Sequence, residues 1–390
     1  MTGSRLLIGF AIIAVPVALA PAILASGAAV MDGRHRATLE GTVLGEGAPA
    51  FAVDALWPKP LPEDWILGQV SGIAVDARDH VWIVHRPRTL TPSDLGAAQT
   101  PPVSECCVAA PPVVEFDPEG NVVRSWGGPG EGYEWPESEH TIHVDAGGNV
   151  WIASSARDDH QVLKFSGDGK FLLQIGRKGR TGGSNDTQLL GQPAGIDTDA
   201  EAGEVYIADG YRNRRIIVFD ATTGRYKRHW GAYGRRPDDA DVGTYDPAAP
   251  PARQFGTPVH GVRLSRDRLL YVADRANDRI QVFRPDGEFV QEASIAPETR
   301  ALGSAWDIAF SHDPAQRFLY VADGTNRKVW IVSRDDLRIV GAFGRGGQNA
   351  GHFGWVHNLA VDSRGSIYTT EVDISKRVQK FVHDGLPTSR

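Results

Sequence analysis

Apolar positions along this chain come in short runs that alternate with polar ones, and the same unit returns six times. Each unit opens with an apolar run, turns through Asp or Gly, and resumes behind an aromatic residue. The copies are GIAVDARDHVWIV (72–84), TIHVDAGGNVWIA (141–153), GIDTDAEAGEVYIA (195–208), GVRLSRDRLLYVA (261–273), DIAFSHDPAQRFLYVA (307–322) and NLAVDSRGSIYTT (358–370). The aromatic falls at Trp82, Trp151, Tyr206, Tyr271, Tyr320 and Tyr368. A third run follows each copy: VVEF (113–116), HQVLKF (160–165), RIIVF (215–219), RIQVF (279–283), KVWIV (328–332) and RVQKF (377–381). Five copies add a fourth, NVVRSW, KFLLQI, RYKRHW, EFVQEA and RIVGAF. Their length and β-branched and aromatic content read as strands, and the DPEG, SGDG, ATTG and RPDG links read as turns.

Four strands repeated six times predict an all-β, six-bladed propeller with four antiparallel strands per blade. The sixth copy lacks its fourth strand, because the sequence stops soon after Phe381. The run AFAVDALW (50–57) is expected to supply that strand, which closes the ring and removes two exposed sheet edges. The propeller is thereby assigned residues 50–385, with a linker over 30–49.

Composition narrows the function classes. The 390 residues carry a formal net charge of -7, so no basic surface points to a nucleic-acid partner. The 44 Gly and 25 Pro suit a turn-rich β fold. Residues 6–25, LLIGFAIIAVPVALAPAILA, carry no charge and follow Arg5, with small residues after them. Residues 1–29 therefore read as an export signal or an uncleaved anchor, and the rest is expected outside the cytoplasm. Any membrane attachment is expected only through that segment. Cys106 and Cys107 are adjacent, which rules out a stapled disulfide framework and leaves a vicinal disulfide, a soft-metal site or two reduced thiols, the oxidised form being favoured in an exported protein.

Aligning the start of the first strand in each copy, five residues before the place of Asp76, gives Ser71, His140, Ala194, His260, Trp306 and His357. Histidine occupies alternate blades. In a six-fold ring these lie about 120° apart at the mouth of the central channel. Three imidazoles converging at one height make a three-histidine site of the catalytic-zinc kind. The loop after the second strand opens on the same face. Arg86 and Arg275 stand four residues after Trp82 and Tyr271, and the matching place in the third blade is Gly210, with Tyr211 next. Two guanidiniums suit a carboxylate, and a phenol beside them suits a general base. His143 and His160 read as structural or supporting residues.

The strings LGQVSGIAVD with the following HR, HQVLKF, ADGYRNRRI, ADRANDRIQVF and the VHN of GWVHNLAVD carry a resemblance. The chain resembles an NHL-type propeller and, more closely, the peptidyl-α-hydroxyglycine α-amidating lyases, from about residues 51–57 to residues 377–381. That resemblance implies zinc on His140, His260 and His357, and catalytic roles for Tyr211, Arg86 and Arg275. It also implies a structural calcium on the carbonyls of Ile73 and Ile142, with Asn358 where the family has aspartate, which should weaken calcium binding. Trp355 replaces a methionine beside the substrate, and Trp306 is expected in the same pocket. Gly191 and Arg212 replace paired cysteines. The sequence shows no copper-monooxygenase segment, so a hydroxyglycine substrate would come from elsewhere. The insertion 87–112 is expected on the active face, where it would narrow or retune the pocket.

The expected reaction is zinc-dependent cleavage of a carbinolamide C–N bond to an amide and glyoxylate. Tyr211, as phenolate, takes the hydroxyl proton while the arginines hold the carboxylate. The alternatives are another extracytoplasmic zinc hydrolase or lyase on this scaffold, or a non-catalytic propeller that binds peptide or sugar. A monomer acting on a small molecule or peptide is expected.

Overall fold

Six sheets, each with four antiparallel core strands, make up the computed structural model, which describes Met1, residues 36–39 and residues 41–384. The inner strands of blades one to six are Gln69–Val75, Glu139–Val144, Pro193–Asp199, Gly261–Leu264, Asp307–Phe310 and Val356–Val361. The second strands are Val81–Arg86, Val150–Ser154, Glu204–Asp209, Leu270–Asp274, Phe318–Asp323 and Ile367–Glu371. The predicted closure is present. Phe51–Asp54 pairs antiparallel with Val378–His383, the third strand of blade six, with Val53 opposite Phe381.

The stretch read as a linker takes part in the sheets. Arg36–Thr38 adds a fifth strand to blade six, and Val43–Leu44 adds one to blade five. Such short segments carry no period-two pattern of their own, so their pairing depends on the edge offered by the blade. The apolar run 6–25 lies outside the described residues. Among the described residues no helix is long and apolar enough to cross a membrane.

Apolar alternation in the second strands has a direct cause. Each sheet is covered on both faces, so alternate residues fill opposite inter-blade cores. Val205 and Ile207 pack with Trp151 of blade two, whereas Tyr206 and Ala208 pack with Val262 and Val272 of blade four. The six recurring aromatics each enter one such core, and none is more than 2% exposed. Turn aspartates take the polar ends of three of them, while Tyr206 Oη donates to Glu204 and Tyr271 Oη accepts from Arg334. Asp76, Asp145 and Asp362 accept from Trp82 Nε1, Trp151 Nε1 and Tyr368 Oη at 3.2, 3.0 and 3.0 Å. The same carboxylates accept backbone N–H groups of their turns, so one Asp sets both the turn and the aromatic anchor.

The Asp of the ADG and ADR strings has a structural task of a different kind. Asp209 accepts the Gly191 N–H, Asn213 Nδ2 and Arg215 Nε, and Asp274 repeats this with Gly256, Asn277 and Arg279. Each clamps the loop after its strand to the loop entering its own blade. In blade one His85 holds this place: its Nδ1 accepts the Gly68 N–H at 3.1 Å, so the proton sits on Nε2 and is donated to the Pro111 carbonyl.

Candidate active site and metal centre

The histidine column sits on β-bulges. In blade two, Glu139 pairs with Ser154 and Thr141 with Ala153, leaving His140 as the extra residue. Ser71, Ala194 and His357 are skipped in the same way, while His260 and Trp306 immediately precede their strands. A bulge re-aims one side chain without disturbing the alternation after it. Here it turns imidazoles that would otherwise enter the inter-blade cores toward the channel. Neighbouring inner strands approach closely at this level. A Cβ on Gly72 would lie 2.7 Å from Thr141 Cα, so no larger residue fits beside the column.

His140, His260 and His357 are at most 2% exposed, with ring centroids 4.8, 4.8 and 5.0 Å apart. Their nearest ligand nitrogens lie within 4.8 Å of one another. Each Nδ1–H donates to the backbone carbonyl of the next column residue: His140 to Ala194 (2.8 Å), His260 to Trp306 (2.6 Å) and His357 to Ser71 (2.7 Å). A carbonyl only accepts, so the proton is fixed on Nδ1 and every Nε2 is left unprotonated, with its lone pair turned into the site. Burial is the main force against protonation, and the neighbouring imidazoles and guanidiniums add to it. All three are held well below the usual histidine range, His357 at about 3. Three neutral, pre-aimed nitrogens fit a zinc-type ion with an open position.

Tyr211 enters from blade three. A Cβ on Gly210, the place aligned with Arg86 and Arg275, would lie 1.7 Å from the Val259 carbonyl oxygen, so that position carries no side chain. The next residue reaches the site instead. Tyr211 Oη lies 3.0 Å from His140 Nε2 and 3.2 Å from His260 Nε2, and it accepts from Arg275 Nη1 at 3.2 Å. The Arg275 guanidinium stacks 4.1 Å from the Trp306 ring, and its Nε–H is buried without a partner. Arg86 is fixed by Nε donation to the Glu139 carbonyl (2.7 Å) and Nη1 donation to Gln69 Oε1 (3.0 Å). Among the described residues neither guanidinium forms an ion pair, and burial pushes both below their ordinary range. The result is a cationic pocket whose guanidiniums keep spare donors and form no ion pair with a carboxylate.

The tryptophans form its wall. Trp306 lies 5.5 Å from His260 and 5.7 Å from His357, and Trp355 packs edge-on to Trp306 at 5.6 Å. His143 and His160 stay out of the triad. His143 Nε2 meets Thr198 Oγ1, and the His160 N–H donates to Gln161 Oε1. The insertion is tied to its surroundings along its length: Trp65–Ile66 pairs in parallel with Val108–Ala109, Lys376 Nζ meets Asp94 at 3.2 Å, Thr89 Oγ1 donates to the Arg86 carbonyl, and the Pro111 carbonyl accepts from His85. Cys106 and Cys107 are joined as a disulfide within it.

Ile73 and Ile142 line a cavity of about 310 Å³ in the channel beyond the triad. The donor set there does not suit calcium. Asn358 turns its Oδ1 to His357 Nδ1–H and its Nδ2 to Asp307, so it offers the channel neither charge nor a free oxygen. Sequence reasoning did not select Gln69, Ser71 or Ala194 for the site. The last two were already in the column of alternate blades, and their role runs through carbonyls that side-chain identity does not reveal.

No family model matches the chain. It is 26% identical over 326 residues to rat peptidylglycine alpha-amidating monooxygenase, covering 77% of this chain and 29% of that protein. The chain thus spans less than a third of that relative's length. It is 28% identical over 347 residues to peptidyl-alpha-hydroxyglycine alpha-amidating lyase 2 of Drosophila melanogaster, covering 84% and 74%. It is 24% identical over 356 residues to mouse NHL repeat-containing protein 3, covering 86% and 84%. The chain is therefore a six-bladed propeller similar to NHL repeat-containing proteins and to the amidating lyases.

Proposed function

We propose that the protein is a metal-dependent carbon–nitrogen lyase that cleaves the carbinolamide of an α-hydroxyglycine-type substrate to a primary amide and glyoxylate. The observation that carries this reading is a buried guanidinium, Arg275, and a partly buried one, Arg86, both without a carboxylate partner and set beside one phenol and three neutral imidazoles. An anionic substrate would complete that charge set, and a carboxylate fits the bidentate donors that remain on Arg275. A zinc ion on His140, His260 and His357 would supply Lewis acidity toward the substrate's oxygen.

In this mechanism Arg275 and Arg86 bind and orient the carboxylate. Tyr211 Oη takes the proton from the substrate hydroxyl. The electron pair left by the O–H bond becomes the second C–O bond of the aldehyde as the C–N bond breaks, and the departing amide nitrogen takes back the proton held by Tyr211. Trp306 and Trp355 exclude water and carry the guanidinium on an aromatic face. Similarity to the Drosophila lyase over most of both chains supports the reaction class. We also propose that the protein works outside the cytoplasm, on the strength of the uncharged run 6–25. Zinc analysis and glyoxylate release from a hydroxyglycine peptide test the reaction, and cell fractionation tests the location.

A further inference from the structure

We propose that the channel below the histidines holds a built-in cation, the guanidinium of Arg263, in the place expected for calcium. The inference is independent of the reaction above.

The carbonyls two residues beyond the histidine column belong to Ile73, Ile142, Ile196, Val262, Ile308 and Leu359. Arg263 Nη1 donates to two of them, Ile196 at 3.3 Å and Val262 at 3.0 Å. Its Nη2 meets Asp307 Oδ2 at 2.8 Å, with Arg263 only 15% and Asp307 1% exposed. The same Oδ2 accepts Asn358 Nδ2 at 2.9 Å and the Leu359 N–H at 3.3 Å. One guanidinium and one carboxylate thus join the inner strands of blades three to six.

Two carboxylates lie at this level. Asp307 Oδ2 carries the contacts just given, while its Oδ1 is buried without a partner. Asp197 accepts the Leu264 N–H through Oδ2 and the Thr198 N–H through Oδ1, with His143 3.6 Å away. Calcium requires six to eight oxygens, commonly with ionised carboxylates among them. Arg263 instead brings the positive charge with the chain, and it needs only oxygens already on the inner strands. Asn358 fits this arrangement better than aspartate. Its Nδ2–H stabilises Asp307, where a second carboxylate would repel it. Asn358 also accepts from His357 Nδ1–H, so the network ends on a metal-site histidine.

The test uses the full chain loaded with zinc. Calcium content is measured after dialysis against about 1 mM CaCl₂, with the thermal midpoint taken with and without the salt. The wild type is expected to retain no calcium and to shift by less than about 1 °C. Arg263→Met is expected to lose roughly 5 °C or more, because it strands a buried carboxylate. CaCl₂ should recover part of that loss, since the Asp307 carboxylate is then without its counter-cation and the Ile196 and Val262 carbonyls lose their donor. Arg263→Met with Asp307→Asn should be more stable than Arg263→Met alone and indifferent to calcium. One calcium per wild-type chain with a raised midpoint would overturn the proposal. So would an Arg263→Met protein of wild-type stability, or one that calcium does not rescue. If Arg263→Met fails to fold, the wild-type calcium content and the double variant decide the matter.

Discussion

Replacing Arg275 by Met should destroy activity while making the metal-free protein more stable. The guanidinium is 6% exposed, has no anionic partner and leaves its Nε–H unsatisfied. An unpaired buried cation costs several kcal/mol. Against that stand the Trp306 stacking, about 2 kcal/mol, and the bond to Tyr211, about 1 kcal/mol. Methionine keeps much of the volume and apolar stem, so removing the charge should stabilise the fold by about 1–2 kcal/mol, a rise of roughly 2–4 °C. Catalysis moves the other way. Two charge-assisted bonds to a carboxylate are worth about 1.5–3 kcal/mol each, so kcat/KM should fall by roughly 10² to 10⁴-fold. The assays are calorimetry on the metal-free protein and glyoxylate release on the zinc-loaded one. A fall in the midpoint of several degrees would refute the reasoning, because it would make Arg275 a structural residue whose charge is already compensated.

Tyr211→Phe should reduce turnover by at least about 10³-fold while zinc content stays unchanged, since the phenol acts on the proton and the imidazoles hold the metal. His85 is buried neutral with its pKa lowered to about 4, chiefly by burial. Its contribution is full above about pH 6.5 and is lost as pH falls toward 4, about 2 kcal/mol by pH 5. His85→Asn, which keeps an acceptor for the Gly68 N–H, should flatten that part of the stability curve in acid unfolding. Trp151→Ala should cost about 4 kcal/mol in denaturant unfolding, because the ring fills the core between blades two and three.

The blade pattern was legible because every blade solves the same packing problem. In blades one, two and six the aromatic and the turn Asp recur together because the Asp holds both its turn and its ring, as Asp145 does for Trp151. The histidine column was legible for the opposite reason: no repeat requires imidazole on alternate blades, so the departures stood out. The bulge at His140 was not legible, because one extra residue leaves the apolar spacing nearly intact. The carbonyl partners of the triad were hidden as well, since Ser71, Ala194 and Trp306 act there through their backbone. The role of Arg263 was hidden too, because its partners Ile196 and Asp307 lie on the neighbouring blades. The short strands at 36–38 and 43–44 exist only through their pairing with Phe51–Asp54 and Ile339–Phe343.

The most direct test of the central claim is zinc content measured beside glyoxylate release from an α-hydroxyglycine peptide, for the wild type and His260→Ala. The account predicts one zinc per wild-type chain with glyoxylate released, and both lost in the variant. Zinc bound without glyoxylate would contradict the proposed reaction, and a wild-type chain that takes up no zinc would contradict the metal centre itself.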